Sequence, residues 1–63
     1  MKTFNGLKEG TVITNPVDGN MTVRYSDWFS EDGKKELCFE DKTSLWAGYQ
    51  FDPADWKVLK KET

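Results

Sequence analysis

The sequence predicts an all-β fold: a small five-stranded antiparallel barrel with a 3₁₀ turn before the last strand. Three observations carry this expectation. Apolar and polar residues alternate from Met21 to Ser26 and again from Lys35 to Glu40, the period of two expected when one sheet face is buried and the other is wet. Short apolar runs recur at a spacing of about 8–12 residues with turn-forming residues between them, the rhythm of hairpin-connected strands. Lastly, Asp52-Pro53-Ala54-Asp55 matches a helix start that has room for only one turn before Trp56.

Each element follows from local chemistry. Residues 1–10 hold Phe4 and Leu7 as apolar anchors around Gly6 and Gly10 and read as a lead-in arm. Thr11–Asn15 is short, β-branched and bounded by Gly10 and Pro16, which favours a strand. Pro16-Val17-Asp18-Gly19 is a turn, because proline fixes φ at the first corner and Gly19 can take a positive φ. Met21, Val23 and Tyr25 then return along one face of a second strand, with Thr22, Arg24 and Ser26 on the other.

Residues 27–34 break the alternation and read as a longer hairpin loop, with Trp28 and Phe29 at its base and Gly33 at its tip. Lys35–Glu40 is the third strand, with Leu37 and Phe39 together, and Asp41–Ser44 supplies a polar turn. From Leu45 the pattern predicts a fourth strand reaching Phe51. It would place Leu45, Ala47, Tyr49 and Phe51 on one face and Trp46, Gly48 and Gln50 on the other. Asp52 is placed to accept from free N–H groups while Pro53 takes the first helical position, where its missing N–H is not needed. So short a helix is expected to be 3₁₀. Trp56–Leu59 closes the fold as a fifth strand, and the tail Lys60–Thr63 is expected to be solvated and frayed.

At 63 residues the chain reads as a single domain spanning 1–63. A domain this small removes only about 60% of its unfolded surface from water, so its stability is expected to be about 3–5 kcal/mol. Nine aromatics (Phe4, Tyr25, Trp28, Phe29, Phe39, Trp46, Tyr49, Phe51, Trp56) offset the shortage, each burying on the order of 150–250 Å². One cysteine permits no intramolecular disulfide, and the lack of histidine excludes a zinc site of the usual Cys/His kind. No cofactor or metal is expected, and a reducing, cytoplasmic setting fits best. The amino terminus carries no apolar run, so the chain is expected to be full length and soluble, with neither leader nor membrane span. A net charge of −2 argues against a nonspecific polyanion binder and is too small for a DNA mimic.

Two stretches resemble the SH3-like small-barrel class, including the KOW-type domains. Leu7-Lys8-Glu9-Gly10-Thr11-Val12 looks like the opening common in such barrels, and Phe51-Asp52-Pro53-Ala54-Asp55-Trp56-Lys57-Val58 resembles their 3₁₀ turn into the final strand. Pro53 and Trp56 have the spacing that helps form the peptide groove of true SH3 domains. The paired-aromatic entry motif and long acidic loop of peptide-binding SH3 domains are missing, as is the basic-glycine signature of KOW domains. The resemblance therefore implies architecture far more than function.

Catalysis is the easiest class to discount. Without histidine, a general base near neutral pH would have to be a strongly shifted carboxylate or lysine, and no enzymatic activity is expected. Cys38 lies on the strand face opposite Leu37 and Phe39, with Glu36 and Glu40 beside it to raise its pKa, and reads as a structural thiol. The acidic pairs Glu31-Asp32, Glu40-Asp41 and Asp52/Asp55 lack the alternating spacing of a calcium loop and read as turns and caps.

The aromatic surplus carries the functional content. If Tyr25, Tyr49 and Phe51 fill the core with Val12, Met21, Val23, Leu37, Phe39 and Val58, then Trp28, Trp46 and Trp56 are left toward the rim or the outer face. The leading expectation is a noncatalytic module that binds a partner protein through an aromatic patch around Trp28, Trp46, Tyr49 and Trp56. Its size suits an accessory protein of the kind that phage and other mobile elements encode. The structural alternative is that every large ring is needed to cover the ends of the barrel. A competing class is a KOW-like nucleic-acid binder using Arg24, Lys57, Lys60 and Lys61 with the same indoles, and a third is a barrel that pairs with its twin through an edge strand. No membrane partner is expected, and the chain is expected to be a monomer or a weak homodimer.

Overall fold

Asn15 sets the first hairpin. Its side-chain carbonyl accepts from the backbone N–H of Val17 at 2.8 Å and of Asp18 at 2.6 Å, an Asx turn that bends the chain locally. Its amide donates to Asp18 Oδ2 at 2.9 Å, and Gly19 closes the turn at φ +75°, a conformation that favours glycine. The computed structural model describes residues 1–61. In it, β1 (Val12–Asn15), β2 (Gly19–Ser26), β3 (Glu36–Glu40), β4 (Leu45–Ala47) and β5 (Lys57–Lys60) form one antiparallel sheet in the order β4-β3-β2-β1-β5.

The register decides which side chains meet. Ile13 faces Met21 and Val23 faces Phe39, so paired residues project from one face of the sheet. With Trp56 they form the buried cluster, and Met1, Phe4, Leu7, Tyr25, Leu37 and Phe51 pack against it. Phe39 is the hub: Phe4 meets it edge-on at 4.9 Å, Phe51 stacks at 5.4 Å and Trp56 lies tilted at 5.3 Å. These separations suit favourable aromatic pairs.

Residues 1–10 do more than lead in. The Met1 amine donates to the carbonyls of Trp56 at 2.9 Å and Pro53 at 3.2 Å, the Tyr25 hydroxyl donates to the Leu7 carbonyl, and Gly10 N–H donates to the Val23 carbonyl at 2.9 Å. The arm therefore lies across the open face of the sheet and carries Phe4 and Leu7 into the core.

The fourth strand is shorter than the alternation predicts. It stops at Ala47, and Gly48–Gln50 forms a 3₁₀ turn closed by Phe51 N–H to the Gly48 carbonyl at 3.2 Å. With three residues per turn instead of a period of two, Gly48 is buried and Phe51 packs on the core, while Tyr49 and Gln50 turn outward. Tyr49, expected in the core, is 79% exposed.

A second 3₁₀ turn, Pro53–Asp55, begins as expected: Asp52 caps it by accepting from Ala54 N–H at 3.0 Å. It swings Trp56 inward to 2% exposure, which corrects its placement at the rim. Ile13 takes the central position expected of Val12, and Val58 is exposed. Lys60 belongs to β5 and is not part of a frayed tail; Glu62 and Thr63 lie outside the described residues. Among the described residues no helix is long and apolar enough to cross a membrane.

Candidate functional site

The four aromatics expected to form one patch differ in exposure: Trp28 and Tyr49 stand in solvent, Trp46 is partly covered and Trp56 is buried. Trp28, 77% exposed, stands on the loop between β2 and β3. That loop is braced from within: Trp28 N–H donates to Ser26 Oγ at 3.1 Å, Ser30 Oγ to Asp32 Oδ1 at 2.6 Å and Lys34 N–H to the same oxygen at 3.0 Å. The Ser30 hydroxyl and then the Lys34 amide favour the ionised carboxylate and pull the Asp32 pKa down. Phe29, the next residue along, shares a shallow cleft with Glu36 and Tyr49, so the loop and the first 3₁₀ turn meet at one end of the sheet.

Tyr49 also borders a larger cleft of about 500 Å³. Phe4, Leu37, Phe51 and Pro53 supply its apolar wall, and Lys2 and Glu36 supply opposite charges. Tyr49 and Glu36 thus line both hollows. Nothing in the sequence singled out Phe4 and Lys2 as neighbours of this turn; the arm brings them from the far end of the chain.

Trp46 sits elsewhere. It pairs with Phe39 across the strands and lines another hollow with Val17, Met21, Asp41, Gln50 and Phe51, the last of which it shares with the Tyr49 cleft. Its ring is 39% exposed and its indole N–H donates to Asp41 Oδ2 at 3.0 Å. The other Asp41 oxygen accepts from the backbone of Thr43 at 2.8 Å and of Ser44 at 2.7 Å, so one carboxylate ties the β3–β4 turn and orients the ring. These donors, the Thr43 amide first and then the Trp46 indole and Ser44 amide, lower the Asp41 pKa from 3.8 to about 2.

The pH dependence has a defined sign. A carboxylate whose folded pKa is depressed adds stability above its unfolded pKa and loses it as pH falls through the folded one. The Asp41 contribution is therefore present above about pH 4 and is lost as pH falls through about 2. The urea midpoint of Asp41→Asn is expected below that of the natural chain at pH 6, with the gap closing as pH is lowered to 2. A gap that stays constant with pH would show that the carboxylate charge plays no part.

Cys38 is buried on the opposite sheet face, between Arg24 on β2 and Ala47 on β4. Its thiol donates to the Glu36 carbonyl at 3.4 Å, and burial first, then the Glu36 charge, pushes its pKa up, away from nucleophilic thiolate. Among the described residues no three of Cys, Asp and Glu gather into a cation site.

Of the cations expected to contact nucleic acid, Arg24 stands apart from the lysines of β5. Arg24 stands two strands in from β5, and its Nε is 3.4 Å from Glu40. Lys57 and Lys60 lie on β5, while Lys61 lines a hollow with Lys8 and Val58. No family model matches the chain, and neither a curated protein nor a solved structure matches it.

Proposed function

We propose that the chain is a noncatalytic protein-interaction module of SH3-like architecture, an accessory or modulatory protein of the kind mobile elements encode. The strand order β4-β3-β2-β1-β5 and the 3₁₀ turns before the last strand support the architectural part. The observation that carries the functional part is the exposure of Trp28 and Tyr49, 77% and 79%. A chain this short needs aromatic area for its core, yet it holds these two rings in water at the end where the β2–β3 loop meets the first 3₁₀ turn. Tyrosine and tryptophan combine large contact area with few rotatable bonds, which makes them the commonest anchors of protein interfaces. The proposed contact surface comprises Trp28 and Tyr49 with the cleft that Phe4, Leu37 and Phe51 line beside Tyr49; Trp46 borders Phe51 in the neighbouring hollow, and Trp56 packs its ring against Phe51 at 5.5 Å.

The test separates binding from folding. Trp28→Ala and Tyr49→Ala are each expected to change stability by less than about 0.5 kcal/mol, since both rings are at the surface. In nuclease-treated host lysate, both variants are expected to lose a protein that the natural chain captures, while Lys42→Ala, exposed and lining neither hollow beside Tyr49, retains it. Capture that survives both changes, or that disappears with nuclease, sinks this function. Steeply salt-dependent binding to single-stranded RNA or DNA would establish the nucleic-acid alternative instead.

A further inference from the structure

We propose that β5 is a second docking edge, one that takes an extended acidic segment of a partner protein as a sixth strand. The proposal goes beyond the aromatic surface and does not depend on it. β5 ends the sheet order, all four of its residues are exposed, and an edge strand presents unpaired N–H and C=O groups to any chain that can lie alongside.

What can lie alongside is set by side chains. In a regular strand Lys57 and Lys60, three apart, would project from opposite faces. Here Lys57 pairs with Thr14, Val58 with Ile13 and Lys60 with Val12, so the irregularity at Leu59 brings both lysines to one face. Leu59 itself is left 56% exposed. On the other face Val58, Leu7 and Thr11 line a hollow of about 260 Å³ bordered by Lys8 and Lys61. None of these four lysines makes an ion pair among the described residues.

The edge therefore selects a strand with acidic side chains toward Lys57 and Lys60 and an apolar side chain toward the Val58 hollow. It also selects against a second copy of this chain. In the register that pairs the whole of β5 (Lys57–Lys60) with its copy about a two-fold axis, Lys57 of each faces Lys60 of the other, and like charges directly opposite oppose pairing.

The probe is a capped peptide alternating glutamate and valine, titrated at low salt into the ¹⁵N-labelled chain. The expected result is amide shifts concentrated on Lys57–Lys60 that diminish as salt is raised. The double variant Lys57→Glu, Lys60→Glu, both at exposed positions and expected to fold, should bind at least about tenfold more weakly. Tyr49→Ala should bind the probe as the natural chain does. An analogue with proline replacing the central valine, which lacks the backbone N–H of a pairing strand, should not bind. Shifts confined to the Tyr49 cleft, equal binding of an alternating lysine and valine peptide, or undiminished binding of the proline analogue would each overturn the proposal. So would concentration-dependent dimerisation through β5 in sedimentation.

Discussion

Trp56→Ala is expected to leave the domain largely unfolded at room temperature. The residue is 2% exposed, and its ring packs in the core cluster, 5.3 Å from the Phe39 ring and 5.5 Å from that of Phe51. Truncating a buried tryptophan costs about 3–5 kcal/mol, through lost burial and the cavity left behind. That range equals the whole stability expected of a domain this small, about 3–5 kcal/mol. Collapse of the surroundings cannot recover much, because the Trp56 backbone is held on both sides of its Cα: its N–H donates to the Pro53 carbonyl at 3.1 Å and its carbonyl accepts from the Met1 amine at 2.9 Å. Trp56→Phe retains an aromatic ring against Phe39 and is expected to stay folded with a lower urea midpoint. Near-ultraviolet circular dichroism and urea titration of the two variants check the ordering. An unchanged midpoint for Trp56→Ala would mean that the Phe39-centred ring cluster does not hold the fold.

The sequence made the strands legible where one rule operated along a whole element. Met21, Val23 and Tyr25 alternate because β2 is paired on both sides and has one inward face; Pro16 with Gly19, and Asp52 with Pro53, announce their turns through backbone chemistry that acts within four residues. Legibility failed where the period changed. Leu45 to Phe51 contains an uninterrupted alternation, yet the backbone leaves the sheet at Gly48 and passes to a period of three, which exchanges the expected positions of Tyr49 and the core. Trp56 was misplaced for a related reason: a single 3₁₀ turn before a strand fixes the direction of the residue after it, and composition does not report direction.

The candidate surface was legible only as an excess of aromatic residues. Trp28 and Tyr49 belong to it, but the Phe4 wall of the cleft depends on an arm that reaches across the sheet to Pro53 and Trp56. Two glycines in ten residues gave that arm the appearance of a loose segment. The shared face of Lys57 and Lys60 was equally hidden, because an irregularity in pairing between β1 and β5 leaves no mark in a hydropathy pattern.

Gly48→Ala is expected to destabilise the domain by about 1–3 kcal/mol, the usual range for forcing a methyl group into packed space. Gly48 is not at positive φ, so the obstacle is room and not backbone conformation. A Cβ there would stand 2.8 Å from the Leu37 backbone carbonyl oxygen, 3.0 Å from Leu37 Cγ and 3.1 Å from Cδ2. The two carbons belong to a side chain that can give way, but the carbonyl lies in β3, which is paired to β2 through Tyr25 and Leu37. Relief therefore requires the turn to lift from β3, taking Tyr49 with it and reshaping the cleft that Gly48, Leu37 and Tyr49 line together. Removing the movable part of the obstruction tests which atom matters. If the carbonyl is the barrier, Leu37→Ala will not rescue Gly48→Ala, and the urea-derived losses of the two changes will add; a rescue close to the full loss would assign the clash to the side chain. Tyr49→Ala supplies the contrast, since it should abolish partner capture at unchanged stability, whereas Gly48→Ala should lower both. This pairing places Gly48 at the junction of fold and site: the absence of its side chain lets the chain leave the sheet where it does, and that departure is what turns Tyr49 out to the solvent.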